Sequence, residues 1–139
     1  MGFTLDSEHP NYVAPNKRPF HTIIPGFLTT GDQALGAFGV MGAPMQPQGH
    51  LQVVVNLVDY LMNPQSALDA PRWRFVEKDL VLLESQVNPN VVMDLVARGH
   101  QIRFAPPWMF GKGQIIIRQD NNTLVAASEP RSDGVALGF

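Results

Sequence analysis

The sequence predicts one domain of the α+β class or of layered αββα form. Three observations carry that prediction. Two β-rich stretches, residues 22–41 and 114–128, are each broken once by turn residues. A nearly all-apolar helix pattern spans residues 51–62. Two Asn-Pro pairs, Asn63-Pro64 and Asn88-Pro89, have the cap-plus-proline form of a helix start.

Taken in order, residues 1–20 hold Pro10, Pro15 and Pro19 with Asn11 and Asn16, which predicts an extended, irregular lead-in. Residues 21–30 are β-rich, with Pro25-Gly26 as a kink or bulge. Gly31-Asp32-Gln33 reads as a turn and residues 34–41 as a second strand. Neither strand alternates cleanly, so the pair is expected as a hairpin inside a sheet. In residues 51–62, Gln52, Asn56 and Asp59 form one narrow polar stripe, so the helix must be covered on most sides. A second helix, residues 64–70, stops before Pro71. Residues 72–75 and 80–83 read as short strands around Glu77-Lys78-Asp79. Val91, Val92, Leu95 and Val96 mark a helix face ended by Gly99, and residues 102–105 give a strand. Residues 114–118 and 123–128 form a hairpin across Gln119-Asp120-Asn121-Asn122, and the tail from Glu129 is a loop.

The chain has 139 residues, enough for one domain with a real core. Charged residues make up 16%, against about 25% in average usage. Low charge with 45% apolar residues implies a large buried fraction, or surface hidden by a partner. A net charge of −2 argues against electrostatic binding to nucleic acid or anionic membranes. There is no Cys, which removes disulfides, thiolate metal sites and Cys nucleophiles. The first residues lack a signal-peptide pattern and no apolar run approaches a membrane span. A soluble protein, cytoplasmic by default, is expected.

Candidate chemistry is sparse. Gly36-x-x-Gly39-x-x-Gly42 has the wrong spacing for a dinucleotide loop and is better read as close strand packing. His9, His21, His50 and His100 stand far apart with no ligand spacing, so neither a metal nor a cofactor is expected. No Ser or Thr sits in a Gly-x-Ser-x-Gly elbow, and removal of Met1 would expose Gly2, which has no side chain. Gln46, Gln48, Gln52 and Asn56 cluster at the loop–helix junction. They suit either helix and loop capping or a carboxylate or developing oxyanion. No self-contained catalytic centre can be assembled from these residues.

Longer motifs say more. Residues 15–25 (Pro-Asn-Lys-Arg-Pro-Phe-His-Thr-Ile-Ile-Pro), 41–50 (Met-Gly-Ala-Pro-Met-Gln-Pro-Gln-Gly-His) and 63–73 (Asn-Pro-Gln-Ser-Ala-Leu-Asp-Ala-Pro-Arg-Trp) resemble the gamma-glutamyltransferase family, especially its acylase-like branch. The ending Glu129-Pro130-Arg131-Ser132-Asp133-Gly134-Val135-Ala136 resembles that family's C-terminal signature. The resemblance implies a partial αββα sandwich of the N-terminal-nucleophile hydrolase type. It also implies a proenzyme that cleaves itself, whose new N-terminal Thr attacks a gamma-glutamyl amide. This chain resembles the later part of the small subunit, so the nucleophile is expected upstream of Met1.

Two site features carry over by resemblance. The family's paired-Ser position after Arg-Pro, which contacts the substrate α-carboxylate, aligns with His21 and Thr22 behind Arg18, making these three the substrate-binding candidates. Its Gly-Gly oxyanion pair aligns with Met45 and Gln46, whose backbone amides are the catalytic candidates and whose side chains are expected to narrow the pocket. These departures imply a different amide or a loosened site. The expected partners are a small amide substrate and either the missing upstream part or a second copy. The alternative is a non-catalytic, stand-alone binding or oligomerisation module that reuses this half of the fold.

Overall fold

The computed structural model describes residues 2–138. Two sheets share the chain. The larger has four antiparallel strands in the order β1-β2-β6-β7, with β1 Gly26–Thr30, β2 Gln33–Met41, β6 Lys112–Arg118 and β7 Leu124–Ser128. The smaller is the three-stranded β3-β4-β5, with β3 Trp73–Glu77, β4 Leu80–Leu83 and β5 Gln101–Phe104. Strand β5 runs parallel to β4, which needs a crossover, and α3 (Pro89–Ala97) supplies it.

Helices α1 (Gln46–Val58) and α2 (Pro64–Asp69) cover one face of the larger sheet. Their core joins Val40, Ile115 and Ala127 from the strands with Val53 and Leu68 from the helices. Helix α1 starts five residues earlier than expected, because Pro47 falls in its first turn, where no N–H partner exists to lose. Gly49 is what lets it sit close: a Cβ there would lie 2.6 Å from Val40 Cγ1. Helices α2 and α3 begin as expected. The Asn63 side chain accepts from Ser66 N–H at 2.9 Å, and Asn88 from Asn90 N–H at 2.9 Å.

Three expectations need correction. Residues 22–24 are not a strand; the strand begins after Pro25, which has no N–H to donate to a ladder. Strand β1 is an edge rather than an inner strand of the described sheet, so of the expected hairpin pair β2 alone is paired on both sides. The lead-in is not simply extended. Thr4 and Tyr12 form an isolated bridge, Val13 N–H donates to Thr4 O, and Lys17 Nζ ties the carbonyls of Pro10 and Tyr12 at 2.6 and 3.0 Å.

The sheet face opposite α1 and α2 carries no helix among the described residues. The pairing register lines up Phe27, Ala37, Ile116 and Ala126 across it. Phe27 is 61% exposed and Ile116 48%. The total exposed surface is 9853 Å². A compact 15.3 kDa monomer would expose about 7,100 Å².

Candidate functional site

The corner between β2 and α1 holds Met45 and Gln46, and the Thr22 carbonyl reaches it. Strand β2 ends at Met41, the chain turns through Gly42 at φ 146°, and a 3-10 turn, Ala43–Met45, leads directly into the helix. Gly42 is required there. Its φ is one that L side chains rarely adopt, and a Cβ would meet Gly111 Cα at 3.0 Å and Met45 Cβ at 3.2 Å. Ala43 follows at φ 51°, a left-handed conformation that costs a non-glycine residue about 1–2 kcal/mol. Two successive positive φ values turn the Gly42 and Ala43 peptides away from both strand and helix.

The hydrogen bonds of this corner decide which amides are free. Met45 N–H donates to Gly42 O at 3.0 Å, and Gln46 N–H to Ala43 O. Both sequence-derived oxyanion candidates are therefore engaged in closing the 3-10 turn. The N–H groups of Gly42 and Ala43 stand before its first bond and have no acceptor among the described residues. The Met45 side chain is fully buried with Leu82 and Phe110, so it does not narrow any pocket. That of Gln46 does border a groove.

The groove, about 380 Å³, runs past Ile24, Met41, Gln46, Lys112, Gln114 and Ser132. Gln46 Nε2 donates to Thr22 O at 2.9 Å, fastening the lead-in across one wall. Thr22 is thus brought to the corner through its backbone, while its side chain is exposed. Arg18 and His21 are exposed as well, and Arg18 borders a separate hollow of about 260 Å³ formed within the lead-in itself. The three substrate candidates do not converge among the described residues.

The glutamine stripe resolves into structure. Gln48 accepts from Phe75 N–H at 2.7 Å and donates to Phe75 O at 3.1 Å. Gln52 does the same with Trp73, 2.9 Å each way. These side-chain amides act as a substitute strand for the free edge of β3, four residues apart on the helix and two apart on the strand. Asn56 donates to Ala67 O at 3.2 Å, joining α1 to α2. Of the cluster, Gln46 alone faces the groove.

Sequence reasoning missed a buried charge cluster behind the corner. Arg72 Nη2 meets Glu129 Oε2 at 2.9 Å, Arg131 Nη1 meets Glu129 Oε1 at 2.7 Å, and Arg131 Nη2 meets Glu84 Oε2 at 2.5 Å. Every side chain in it is at most 6% exposed. Arg72 also donates to the carbonyls of Phe110 and Gly111, each at 3.1 Å, and Gly113 N–H donates to Glu129 at 2.5 Å. Burial pushes the Glu129 carboxyl up, but the Arg72 charge, the Arg131 hydrogen bond and the Gly113 N–H outweigh it and hold the carboxyl below the usual range. Burial, followed by the Arg131 charge, lowers Arg72 from its ordinary value. Burial lowers Arg131 too, yet its hydrogen bonds to Glu84 and Glu129 prevail and raise it. The available signal was the pair of Pro-Arg motifs, Pro71-Arg72 and Pro130-Arg131, which this cluster joins.

Among the described residues no group of three or more His, Asp or Glu is placed to hold a metal ion. No helix there is long and apolar enough to cross a membrane.

Comparison with known proteins gives the corner a context. A family described as gamma-glutamyltranspeptidase matches residues 1–139. The solved structure of a cephalosporin acylase from Bacillus halodurans is similar at a TM-score of 0.82 and 48% sequence identity, over 96% of this chain and 25% of that one. An acylase ACY 1 proenzyme from Pseudomonas sp. (strain V22) is 34% identical over 91% of this chain and 22% of its own length. A glutathione hydrolase-like YwrD proenzyme from Bacillus subtilis (strain 168) is 29% identical over 99% of this chain and 27% of its own length. The chain spans about a quarter of the length of the curated relatives it matches.

Proposed function

Because this chain belongs to the gamma-glutamyltranspeptidase family, we propose that it is the C-terminal part of the small subunit of an acylase-like N-terminal-nucleophile amidohydrolase. The observation that carries the proposal is a whole-chain family match alongside coverage of only about a quarter of the relatives. The reaction is cleavage of an amide by an N-terminal Thr on the segment upstream of Met1. The acyl group then passes to water or an amine.

In this reading the chain supplies a wall of the site rather than the nucleophile. A tetrahedral intermediate needs donors aimed at its oxygen, and the free N–H groups of Gly42 and Ala43 are suited to that role. Oxyanion binding thereby moves from Met45 and Gln46 to the start of the same turn. The bare sheet face through Ala37, Ile116 and Ala126 becomes the surface on which the second sheet of an αββα sandwich packs. Small residues at its centre favour a close approach.

The test is chemical. The purified 139-residue chain is expected to release no p-nitroaniline from gamma-glutamyl-p-nitroanilide. Co-expression with a Thr-led upstream segment from the same reading frame is expected to restore hydrolysis of an acyl amide, and replacing that Thr by Ala to abolish it. Turnover by the chain alone that disappears in Thr22→Ala would overturn the proposal.

A further inference from the structure

Behind the β2–α1 corner, one side chain grips the segment that leads into β6. Arg72 Nη1 donates to the carbonyls of Phe110 and Gly111, each at 3.1 Å. Its Nη2 meets Glu129 Oε2 at 2.9 Å, and the same carboxylate oxygen accepts from Gly113 N–H. Phe110, Gly111 and Gly113 are all buried, and all are tied to this one guanidinium–carboxylate pair.

The other side of the segment lies against the turn itself. Gly111 has φ 76°, and a Cβ on it would lie 2.6 Å from Met41 O and 3.5 Å from Met45 Cγ, atoms of the two residues that bracket the turn. A Cβ on Gly42 would lie 3.0 Å from Gly111 Cα. Phe110 packs with Met45, and both side chains are fully buried. Close packing of this kind passes a displacement on, so a shift of Gly111 reaches Gly42 directly.

Stability alone does not account for Arg72. Its Nε is buried and has no acceptor among the described residues. Apolar side chains often replace buried ion pairs with no loss of stability. An apolar side chain could not hold two consecutive carbonyls and a carboxylate in one fixed arrangement, which the planar guanidinium does.

Resting on the amidohydrolase reading above, we propose that Arg72 is a positioning residue for the oxyanion donors. It fixes Phe110 and Gly111 from behind, and through them the direction of the Gly42 and Ala43 N–H groups. Its effect falls on the transition state, where those donors meet developing charge, and not on binding of the uncharged amide carbonyl.

The experiment pairs two readings. In the 139-residue chain, hydrogen–deuterium exchange is followed by mass spectrometry on a fragment containing Met45 and Gln46, whose N–H groups close the turn. In the Thr-led co-expressed enzyme, kcat and KM are measured with gamma-glutamyl-p-nitroanilide. Arg72→Met is expected to speed exchange of those amides roughly tenfold. It should lower kcat about 100-fold, with KM changed by less than about twofold. Arg72→Lys keeps a charge beside Glu129 but lacks the planar fork, so it should melt like the parent and show both changes in smaller degree. If Arg72→Met does not fold, Arg72→Lys decides alone. Asn88→Ala removes the cap of α3 and should lower the urea midpoint while leaving exchange of those amides and kcat at parent values. Parent-like exchange in the Arg72 variants, a loss shared by Asn88→Ala, or a loss carried by KM would each overturn the assignment. Exchange is read without turnover. An enzyme that hydrolyses no amide therefore rejects the reaction, while exchange still decides whether Arg72 holds the turn.

Discussion

Ala43 and Gly42 concentrate the conformational cost of the corner, and each makes a separate prediction. Ala43→Gly should relieve the left-handed strain and raise the urea midpoint by the equivalent of about 1 kcal/mol, measured by equilibrium unfolding. Gly42→Val should do the reverse by 2 kcal/mol or more, roughly, because strain and the contact with Gly111 add. If both variants unfold like the parent, the turn is not what the φ values describe. A third residue, Glu129, predicts the acid limit of stability. Its carboxyl is held below the unfolded value, so its contribution is complete above the usual carboxylate pKa of about 4.3 and is lost as pH falls through the lower folded value. Glu129→Gln should flatten that acid limb in a pH series of urea midpoints. It should also lower stability at neutral pH by about 3–5 kcal/mol, since Arg72 and Arg131 remain buried beside a neutral amide. An unchanged acid limb would show that other carboxylates set it.

Between α1 and β3, the glutamine pair makes a prediction of its own. Gln52→Leu leaves the Trp73 N–H and C=O without partners in a half-buried seam, which should cost about 1–3 kcal/mol. Amide exchange at Trp73 should accelerate with it, and exchange that stays slow would mean the edge of β3 finds another acceptor. Helix starts and turns at this level were legible in the sequence. Asn63 and Asn88 cap as their Pro neighbours suggest, and the two-residue turn at Gly31-Asp32 closes β1 on β2. The start of α1 was not legible. Pro47 and Gly49 read as loop residues until one sees that the proline occupies the first turn and the glycine faces Val40. The role of the polar stripe was equally hidden, because a side chain that pairs with a strand edge looks the same in sequence as one that awaits a ligand.

The molecule as a whole exposes about 2,700 Å² more than a compact monomer of its mass would, an area comparable to an obligate interface. Large apolar side chains are part of that exposed surface. On the large sheet it includes Phe27 and Ile116, and elsewhere Trp108 (70% exposed) and Met93 (62%). The chain on its own should therefore self-associate, giving a light-scattering mass above that of the monomer and binding of an apolar dye. On the proposed reading, addition of a Thr-led upstream segment should suppress both. A monodisperse monomer with one cooperative melt would instead favour a stand-alone module.

The sequence by itself determined the α+β class, the order of elements, and the family, because caps, turns and contiguous motifs are local and can be read residue by residue. The tertiary structure decided which amides of the β2–α1 corner are free and that the glutamines of α1 serve β3. It also showed that Arg72 and Glu129 share one buried cluster. Hydrogen-bond occupancy and charge pairing depend on distances between residues far apart in the chain. Arg72 and Glu129 are 57 positions apart in sequence and 2.9 Å apart in space, a proximity that no local pattern encodes.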